Sequence, residues 1–369
     1  MGFFFSKPIA GIDISDSSVE VLFLNSNKTV AAYGREDLPV GLVEKGGVKD
    51  QTKLSEIIKS IFDKFDSRYS KDIKASIVLP KAKTFLSHFE YDPKSYSEDA
   101  VRSQLEKEIA KEFLSFPENI VWDHIVLKPD KGSPIFPRVL YAVADKETVY
   151  SYYQVLDAAG IKPVSFEVEP VVLEKALIPD EKDGDNAYSI IVDIGAQATS
   201  TYVFTPYRDL EYASNIKVGG EAITKLFVEK KGISFDDAEK LKRQHGFLNS
   251  DLQPLMIEAI SKVEEEIGLF LHRYERIENK TIGKIILAGG SALLPGIDGY
   301  FQKVFNKTVL IGNPLLKLKD ATAMFPRETP PILFANVIGL GLNNLKKRGP
   351  SEDLNLLPTD VSALKPPQI

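Results

Sequence analysis

Cysteine is absent from the 369 residues, and histidine occurs only four times, with no pair at the spacing of a metal site. Zinc sites and iron–sulfur clusters are built mainly from thiolate and imidazole ligands. Both kinds of centre are therefore excluded, and so are disulfide bonds. Any metal must be held by oxygen ligands, which favours Mg²⁺ or a similar hard cation.

An excess of positive charge is also missing. The net charge is −6, and the 46 basic residues are spread along the chain without a dense cluster. A surface that neutralises a row of nucleic-acid phosphates needs such a cluster. Nucleic acid is therefore not an expected partner.

Long apolar runs are lacking as well. The longest helical candidate, residues 254–274, carries four glutamates and a lysine, whereas a membrane span needs about 18 or more predominantly apolar residues. The opening MGFFFSKP contains an apolar run that is too short for a signal-peptide core. We expect a cytoplasmic protein that contacts the membrane only through partners.

The length predicts two lobes, because a single core stops growing beyond roughly 250 to 300 residues. Strand-like runs alternate with segments of helical period, as in α/β proteins. The charged, turn-rich residues 179–186 mark a boundary between lobes. The predicted organisation is a first lobe at 1–80 and 161–185, an inserted small subdomain at 81–160, a second lobe at 186–345 and a flexible tail at 346–369.

One local pattern occurs twice in the chain. Asp13 and Asp193 each stand near the end of a predicted strand that is followed by a short polar turn and another strand. The backbone N–H groups of such a turn can bind phosphate, while the carboxylate holds Mg²⁺ through its waters. Two such hairpins would close on a nucleotide from two sides. The candidate phosphate-loop residues are Ser15, Ser17 and Ser18 in the first copy and Gly195, Gln197 and Thr199 in the second.

A third element follows the second copy. The apolar run IILA leads into Gly289, Gly290 and Ser291. Glycines without side chains would let a base or ribose rest against the backbone. Taken singly, a glycine pair is more often a turn and a strand-end aspartate more often a cap. The three elements in this order favour a nucleotide site.

Together these elements resemble the two phosphate motifs and the adenosine motif of the superfamily that contains actin, heat-shock chaperones and sugar kinases. Over residues 1 to about 345 the sequence resembles the PilM family of type IV pilus assembly proteins and its cell-division relative FtsA. GIDISDSSVEVLFL, SIIVDIGAQATSTYVF and KVGGEAIT carry this resemblance. It implies an actin-like (ribonuclease H-like) two-lobed α/β fold with the PilM and FtsA type of subdomain at 81–160, and binding of ATP with Mg²⁺.

The resemblance also implies roles for residues outside these motifs. Gly219, Gly220, Glu239 and Lys242 would line the pocket near the ribose, and Glu169 would lie nearest the γ-phosphate and position a water. The alternatives are a turn for the glycines, a solvated helix face for Glu239 and Lys242, and a surface acid for Glu169.

The first loop departs from the family pattern at Ser15, Asp16 and Glu20. A serine at positive φ would cost ~1–2 kcal/mol. An acid about 4 Å from a phosphate would cost ~4 kcal/mol at an effective dielectric of 20, unless Mg²⁺ or outward rotation relieves it. The sequence therefore leaves open whether bound ATP is hydrolysed, and a weak ATPase is the most that it supports.

The tail contains a short motif, Leu354-Asn355-Leu356-Leu357-Pro358. It resembles the start of PilN, the inner-membrane partner of PilM. We hypothesise that it fills this chain's own peptide groove, or a neighbour's, between the first lobe and the inserted subdomain. A chance motif in a disordered tail and a fusion to a PilN-like segment are the alternatives.

We predict a cytoplasmic, ATP-binding scaffold, peripheral to the inner membrane, in a type IV pilus, secretion or DNA uptake machine. It would dock a PilN-like protein and other inner-membrane pilus components, as a monomer, homodimer or filament. One alternative is a small-molecule kinase of the same superfamily, which needs a general base that we do not find. The other is an FtsA-like filament protein, whose C-terminal amphipathic helix the proline-broken tail cannot form.

Overall fold

The computed structural model describes residues 7–91, 97–112, 119–127, 138–179, 187–320, 329–345 and 354–364. Contacts divide the chain into two compact units. The first comprises Met1–Ala176, Leu315–Pro326 and Asn336–Ile369, and the second comprises Leu177–Pro314 and Arg327–Ala335.

Strands and α-helices are numbered here in chain order. The strands are β1 (Ala10–Ile14), β2 (Ser18–Leu24), β3 (Val30–Asp37), β4 (Val43–Glu44), β5 (Gly47–Val48), β6 (Ile73–Val78), β7 (Thr84–Glu90), β8 (Ile120–Leu127), β9 (Arg138–Asp145), β10 (Ile161–Glu167), β11 (Tyr188–Ile194), β12 (Thr199–Phe204), β13 (Leu210–Ile216), β14 (Ile282–Ala288) and β15 (Val309–Ile311). The helices are α1 (Gln51–Asp63), α2 (Ser67–Ser70), α3 (Glu98–Glu112), α4 (Lys146–Ala158), α5 (Glu169–Leu177), α6 (Gly220–Lys231), α7 (Phe235–His245), α8 (Gln253–Leu271), α9 (Ile297–Phe305) and α10 (Ala335–Asn344).

Each unit contains a five-stranded sheet with the same topology. The first sheet has the order β3-β2-β1-β6-β10, and the second has the order β13-β12-β11-β14-β15. In both, three antiparallel strands form a meander, and two parallel strands follow on the other side of the first strand. The recurrence of the local pattern in the sequence thus extends to the whole sheet.

The first sheet is covered on both faces, which explains why β2 is buried along its whole length. On one face Phe23 packs against Phe62 of α1, with ring centroids 6.0 Å apart. On the opposite face α10 crosses β1 so closely that a Cβ added to Gly11 would lie 2.7 Å from the Val337 carbonyl oxygen. Burial on both faces selects the continuous apolar sequence of β2 instead of strict alternation.

The segment between β6 and β10 forms its own antiparallel sheet, in the order β7-β9-β8. Helix α3 packs on this sheet through Leu105 and Ile109, which join Ile120, Tyr141 and Val143 in a small apolar cluster. The element order of this segment is strand, helix, strand, strand, helix.

The last helix of that segment, α4, packs against parts of the first unit that lie outside the segment. In α4, Tyr152 donates to the Gly46 carbonyl oxygen at 3.1 Å, and Gln51 of α1 donates to Ser151 at 3.1 Å. The three-stranded sheet and α3 therefore form the separate part of the segment.

The second unit has one large core beneath its sheet. Ile190 and Val192 of β11 pack with Phe227 of α6 and with Ile260 and Ile267 of α8, all of them buried. The apolar positions of α8 lie three or four residues apart, so one face of this glutamate-rich helix is buried while the charges stay outside.

The two structural units differ from the predicted lobes near the end of the chain. Residues from Asn336 onward belong to the first unit, whereas the sequence placed 186–345 together in the second lobe. Residues 354–364 of the predicted flexible tail are ordered on the first unit, with Leu354 and Leu356 each 1% exposed. The predicted boundary at 185 lies outside the described residues.

Candidate functional site

The polar turn after β11 in the second unit receives the start of α6. The Gly195 carbonyl oxygen accepts from Gly220 N at 2.9 Å, and the Ala196 carbonyl oxygen accepts from Glu221 N at 2.8 Å. A Cβ at Gly219 would lie 2.5 Å from the Gly195 oxygen, so only glycine allows this approach. The predicted residues Gly195, Gly219 and Gly220 therefore lie together.

The loop after β14 joins the same site. Gly289 has φ +79°, and a Cβ there would overlap Asp193 Oδ1 and lie 2.6 Å from the Ile194 carbonyl oxygen. Ser291 Oγ donates to the Gly195 carbonyl oxygen at 3.4 Å. At Gly290, by contrast, an added Cβ would meet no atom within 4 Å. The backbone at Gly290 therefore borders open space.

Lys242 and Glu239 of α7 form a buried polar cluster against α6. Lys242 Nζ donates to the Gly220 carbonyl oxygen at 3.1 Å, to Thr224 Oγ1 at 2.9 Å and to Glu239 Oε2 at 2.6 Å. Burial would raise the pKa of Glu239, but hydrogen bonds from Lys242, Thr224 and Arg243 outweigh burial and lower this pKa to about 2. Burial lowers the pKa of Lys242, and Glu239 partly offsets that effect.

This cluster is not the solvated helix face considered as an alternative, since Lys242 is only 5% exposed. The three N–H groups of its ammonium are all used within the unit. Lys242 therefore positions Glu239 and the start of α6. Among the residues that the structure describes, Arg243 Nε is the one donor to Glu239 Oε1, at 2.7 Å, which leaves a lone pair on this oxygen for a further donor.

The two remaining predicted residues of the second loop differ in accessibility. Thr199 is fully buried, and its hydroxyl donates to the Val218 carbonyl oxygen at 2.7 Å. Gln197 is exposed and makes a long hydrogen bond, 3.4 Å, to Glu221 Oε1. Of these two side chains, only that of Gln197 is free to turn toward a phosphate.

Asp13 in the first unit occupies the register position that Asp193 occupies in the second. Asp13 pairs with Glu20 and Val78, and Asp193 pairs with Ser200 and Ala288. The structure adds a contact to the first aspartate, because Asn336 Nδ2 donates to Asp13 Oδ2 at 2.8 Å.

Glu20 makes the surroundings of Asp13 more acidic than those of Asp193. Burial, and then the charge of Asp13, raise the pKa of Glu20 to about 8, although Ser18 and Arg35 oppose this shift. Arg35 Nε lies 2.8 Å from Glu20 Oε1. Glu20, one of the acids by which the first loop departs from the family pattern, is thus an arginine-paired group whose pKa lies above its ordinary value.

The first phosphate loop is closed by its own serine. Ser15 Oγ accepts from Ser17 N at 3.2 Å and from Ser18 N at 2.9 Å. The two backbone donors predicted to face phosphate therefore already have an intramolecular partner. The expected strain at Ser15 is absent, because Ser15 is not among the residues with positive φ.

Asp16 points away from this loop toward the β4–β5 turn. Its carboxylate accepts from Lys45 N at 2.9 Å and from Gly46 N at 3.0 Å. Both turn residues have positive φ, so their N–H groups converge on one side. The outward rotation considered in the sequence analysis is the conformation observed.

Glu169 is the first residue of α5, directly beyond the end of β10. It is 8% exposed, and its carboxylate lies 3.8 Å from Lys81 Nζ. The alternative of a surface acid is therefore wrong. Because β1, β6 and β10 are parallel, the Asp13 loop and Glu169 lie at the same edge of the sheet, where open α/β sheets bind ligands.

The LNLLP segment binds along the outer strand β10. Leu356 N donates to the Phe166 carbonyl oxygen at 2.8 Å, and Phe166 N donates to Asn355 Oδ1 at 2.9 Å. Asn355 N donates to Asp123 Oδ2 on β8 at 2.8 Å. Leu354 is buried beside these contacts. The segment thus contacts both parts of the first unit that the hypothesis named.

The other residues of the motif have lesser roles. Leu357 N donates to Asn355 Oδ1 at 3.0 Å, and the side chains of Leu357 and Pro358 are half-buried. Asp123 and Asn336 carry no local signal in the sequence, since each acts through a contact more than 200 positions away.

Two further observations bear on metals and membranes. Within the described part of the chain, no three histidine, cysteine or acidic side chains gather as a metal-ligand group. In that same part, no helix is both long enough and apolar enough to cross a membrane.

The two sheets share one topology, and in each an aspartate lies near the end of the first strand in the chain, with a polar loop beyond it. These features define a protein of the actin-like ATPase fold. Solved structures agree. A chain of a "PilM-PilN type IV pilus biogenesis complex" superposes with a TM-score of 0.78 at 19% identity, over 92% of this chain and 99% of that one. The ethanolamine utilization protein EutJ from Carboxydothermus hydrogenoformans superposes with a TM-score of 0.56 at 15% identity, over 92% and 90%.

The family model for the type IV pilus assembly protein PilM matches residues 11–343, and the chain belongs to this family. Among curated proteins, EutJ of Escherichia coli K12 is 31% identical over 151 residues, which are 41% of this chain and 48% of that protein. FtsA of Streptococcus pneumoniae is 23% identical over 346 residues, 82% of this chain and 75% of that protein. The chain spans about half the length of the EutJ relatives that it matches.

Proposed function

We propose that this chain is an ATP-binding scaffold on the cytoplasmic side of the inner membrane, where it docks the cytoplasmic peptide of a PilN-like protein during pilus assembly. The observation that carries the proposal is the outer edge of β10, where the chain's own tail binds through backbone atoms. Membership of the PilM family supports the assignment to a pilus machine.

The site selects an extended peptide with a Leu-Asn-Leu pattern. Leu354 and Leu356 are each 1% exposed, and burying such a side chain contributes roughly 1.5–3 kcal/mol. The Asn355 side chain accepts from Phe166 N in the way that a neighbouring strand's carbonyl would. Peptide addition to a sheet edge obtains affinity from main-chain hydrogen bonds and specificity from alternate side chains. A partner peptide with this pattern would replace the tail.

The tail and such a partner peptide would therefore compete. A short flexible tether gives an effective concentration near the millimolar range. If the free peptide binds with a Kd on the order of 10 µM, the tail lowers its apparent affinity about 100-fold.

The test is a titration of a labelled LNLLP-containing peptide into the full chain and into a variant with Leu354→Asp and Leu356→Asp. We expect much tighter peptide binding by the variant. Thr359→Asp, which adds a charge at an exposed tail position, is the control and should bind like the unmodified chain. Equal, weak binding by all three proteins would show that the β10 edge is not a peptide site.

We further propose that the second unit holds the adenosine of ATP. Gly290 borders open space that can take the flat base, and Glu239 Oε1 can accept from a ribose hydroxyl. Gln197 is accessible to the phosphates, and Gly289 and Ser291 hold the loop in place. The glycines at 195, 219 and 220 contribute by packing.

Mg²⁺ would arrive with the nucleotide. No group of three protein ligands exists among the described residues, which fits an ion held by one or two carboxylates and by phosphate oxygens. Asp193 and Asp13 are the proposed carboxylates. The N–H groups of Ser17 and Ser18 would turn toward phosphate only after the Ser15 hydroxyl releases them.

Gly290→Ala tests the adenosine site without disturbing the fold, because its Cβ enters free space. We expect weaker binding of Mg²⁺·ATP by calorimetry, with unchanged stability. Gly299→Ala, on α9 with equal free space, is the matched control. Unchanged ATP affinity in the Gly290 variant would place the base elsewhere.

Any hydrolysis would depend on Glu169. We propose that this buried acid orients the attacking water, with Lys81 as its charge partner. Glu169→Gln should then lower phosphate release while the Kd for ATP stays the same. A parallel loss of ATP affinity would instead indicate a structural role.

A further inference from the structure

Helix α10 connects the two sites proposed for the first unit. Asn336 lies in its first turn, and Asn343 lies in its last turn. Seven residues of α-helix span about 10 Å at 1.5 Å per residue. One rigid element therefore carries a polar side chain at each end.

At the first end, Asn336 holds the proposed Mg²⁺ ligand. Its Nδ2 donates to Asp13 Oδ2 at 2.8 Å. Its Oδ1 is buried and has no hydrogen-bond partner in the described part of the chain, so the side-chain amide is held chiefly by the bond to Asp13. A shift of α10 would move this donor and, with it, the preferred orientation of the carboxylate.

At the other end, Asn343 holds the strand that binds the tail. Asn343 is 1% exposed, and its Nδ2 donates to Glu167 Oε2 at 2.6 Å. Glu167 is 3% exposed and directly follows Phe166, whose backbone N–H and C=O bind the tail. Asn343 Oδ1 is buried and meets no donor among the described residues. A partly satisfied buried network of this kind adjusts when its neighbours move.

Close backbone packing makes α10 a rigid element. Gly339 contacts the backbone of α5, where an added Cβ would overlap the Val172 carbonyl group. Val337 contacts β1 at Gly11 in the same way. Because these are backbone contacts, side-chain rotamers cannot absorb a displacement within the helix.

We propose that α10 couples occupancy of the β10 edge to the orientation of the Asp13 carboxylate, so that peptide docking changes the affinity for Mg²⁺·ATP. The inference rests on the proposed function, because it joins the two binding sites proposed there. Coupling is reciprocal and typically changes an affinity 5- to 150-fold. Asn336 and Asn343 are positioning residues in this scheme.

The first test is a cycle of Mg²⁺·ATP affinities in the full-length chain. The tail is released by Leu354→Asp with Leu356→Asp, either alone or together with Asn343→Ala. We expect release of the tail to change the Kd at least about fivefold when Asn343 is present and less than about twofold when it is absent. An equal change in both backgrounds would overturn the proposal.

A second readout needs no nucleotide. The side-chain amide resonance of Asn336, assigned by its loss in Asn336→Ala, should shift when the tail is released, and should stay in place in the Thr359→Asp control. An unchanged Asn336 resonance would overturn the coupling even if peptide and ATP each bind. If no variant binds ATP, the proposed function fails, and the resonance alone then decides whether the mechanical link exists.

Discussion

Gly289→Ala should destabilise the second unit far more than Gly290→Ala, although the two positions are adjacent. Gly289 has φ +79°, where an L-residue costs roughly 1–2 kcal/mol. The new Cβ would also lie 2.6 Å from the Ile194 carbonyl oxygen, and overpacking of this kind costs typically 1–3 kcal/mol. The smaller entropy of the unfolded alanine chain offsets about 0.4–1 kcal/mol. We expect a net loss of about 2–4 kcal/mol.

Gly290→Ala meets neither cost, because its Cβ has no atom within 4 Å. It should leave stability unchanged or raise it by up to about 1 kcal/mol through the unfolded state. The chain's single tryptophan, Trp122, lies in the first unit, so its fluorescence does not report on this effect.

Hydrogen exchange of peptides from β11 and β14 is the suitable assay. For Gly289→Ala the opening constant should rise roughly 30- to 700-fold, since each 1.4 kcal/mol is a factor of ten. For Gly290→Ala it should stay unchanged or fall by up to about fivefold. Exchange that is equal in the two variants would refute the assigned backbone conformation and the close approach to Asp193.

Three further predictions concern ionisation and the tail. The pKa of Glu20 is raised to about 8 in the folded state, whereas the unfolded chain releases this proton near pH 4.5. Stability should therefore fall as pH rises from about 5 to 8. Glu20→Gln should flatten that dependence in urea unfolding, and parallel slopes would contradict the assignment. Asn355→Ala should increase hydrogen exchange of the Leu356 amide about 5- to 150-fold. The reason is that binding of the tail loses about 1–3 kcal/mol when the buried Phe166 N–H is left unpaired. Ser362→Ala is the control, and protection equal to that of the control would count against the docked tail. Lys242→Met should lower the free energy of unfolding by about 3 kcal/mol at pH 7, the low end for breaking a buried pair. This loss should shrink as pH falls from about 4.5 toward 2, because the Glu239 carboxylate is then protonated. A loss that does not depend on pH would mean that lost packing dominates.

The strands and helices that carry the site follow from local pattern. β1 and β11 are apolar runs that end in Asp-Ile before a polar turn, and that pattern is recognisable without any partner strand. The local motifs predicted the glycines at 195 and 289, and the family resemblance implied those at 219 and 220; in the structure Gly195 adjoins Gly219 and Gly220, and Gly289 adjoins Ile194.

The roles of several polar residues do not follow from local pattern. Ser15 was expected to be strained and instead caps its own loop. Asp16 was expected near phosphate and instead binds the turn at Lys45. Thr199 was expected to offer a hydroxyl to the ligand and instead donates it to the protein backbone. Each outcome depends on which donor lies within about 3 Å, a property of the folded chain.

Local sequence pattern was enough to predict alternating strands and helices, the repeated aspartate hairpin and the peptide motif, because period, turn residues and spacing are local properties of the chain, while the actin-like fold followed from the resemblance to the PilM family. Only the tertiary structure decided that Asn336 holds Asp13, that α10 belongs to the first unit, and that the tail binds between Phe166 and Asp123. These contacts join residues 189 to 323 positions apart. The packing of the whole unit brings such residues together, and no local pattern records which polar groups will then meet.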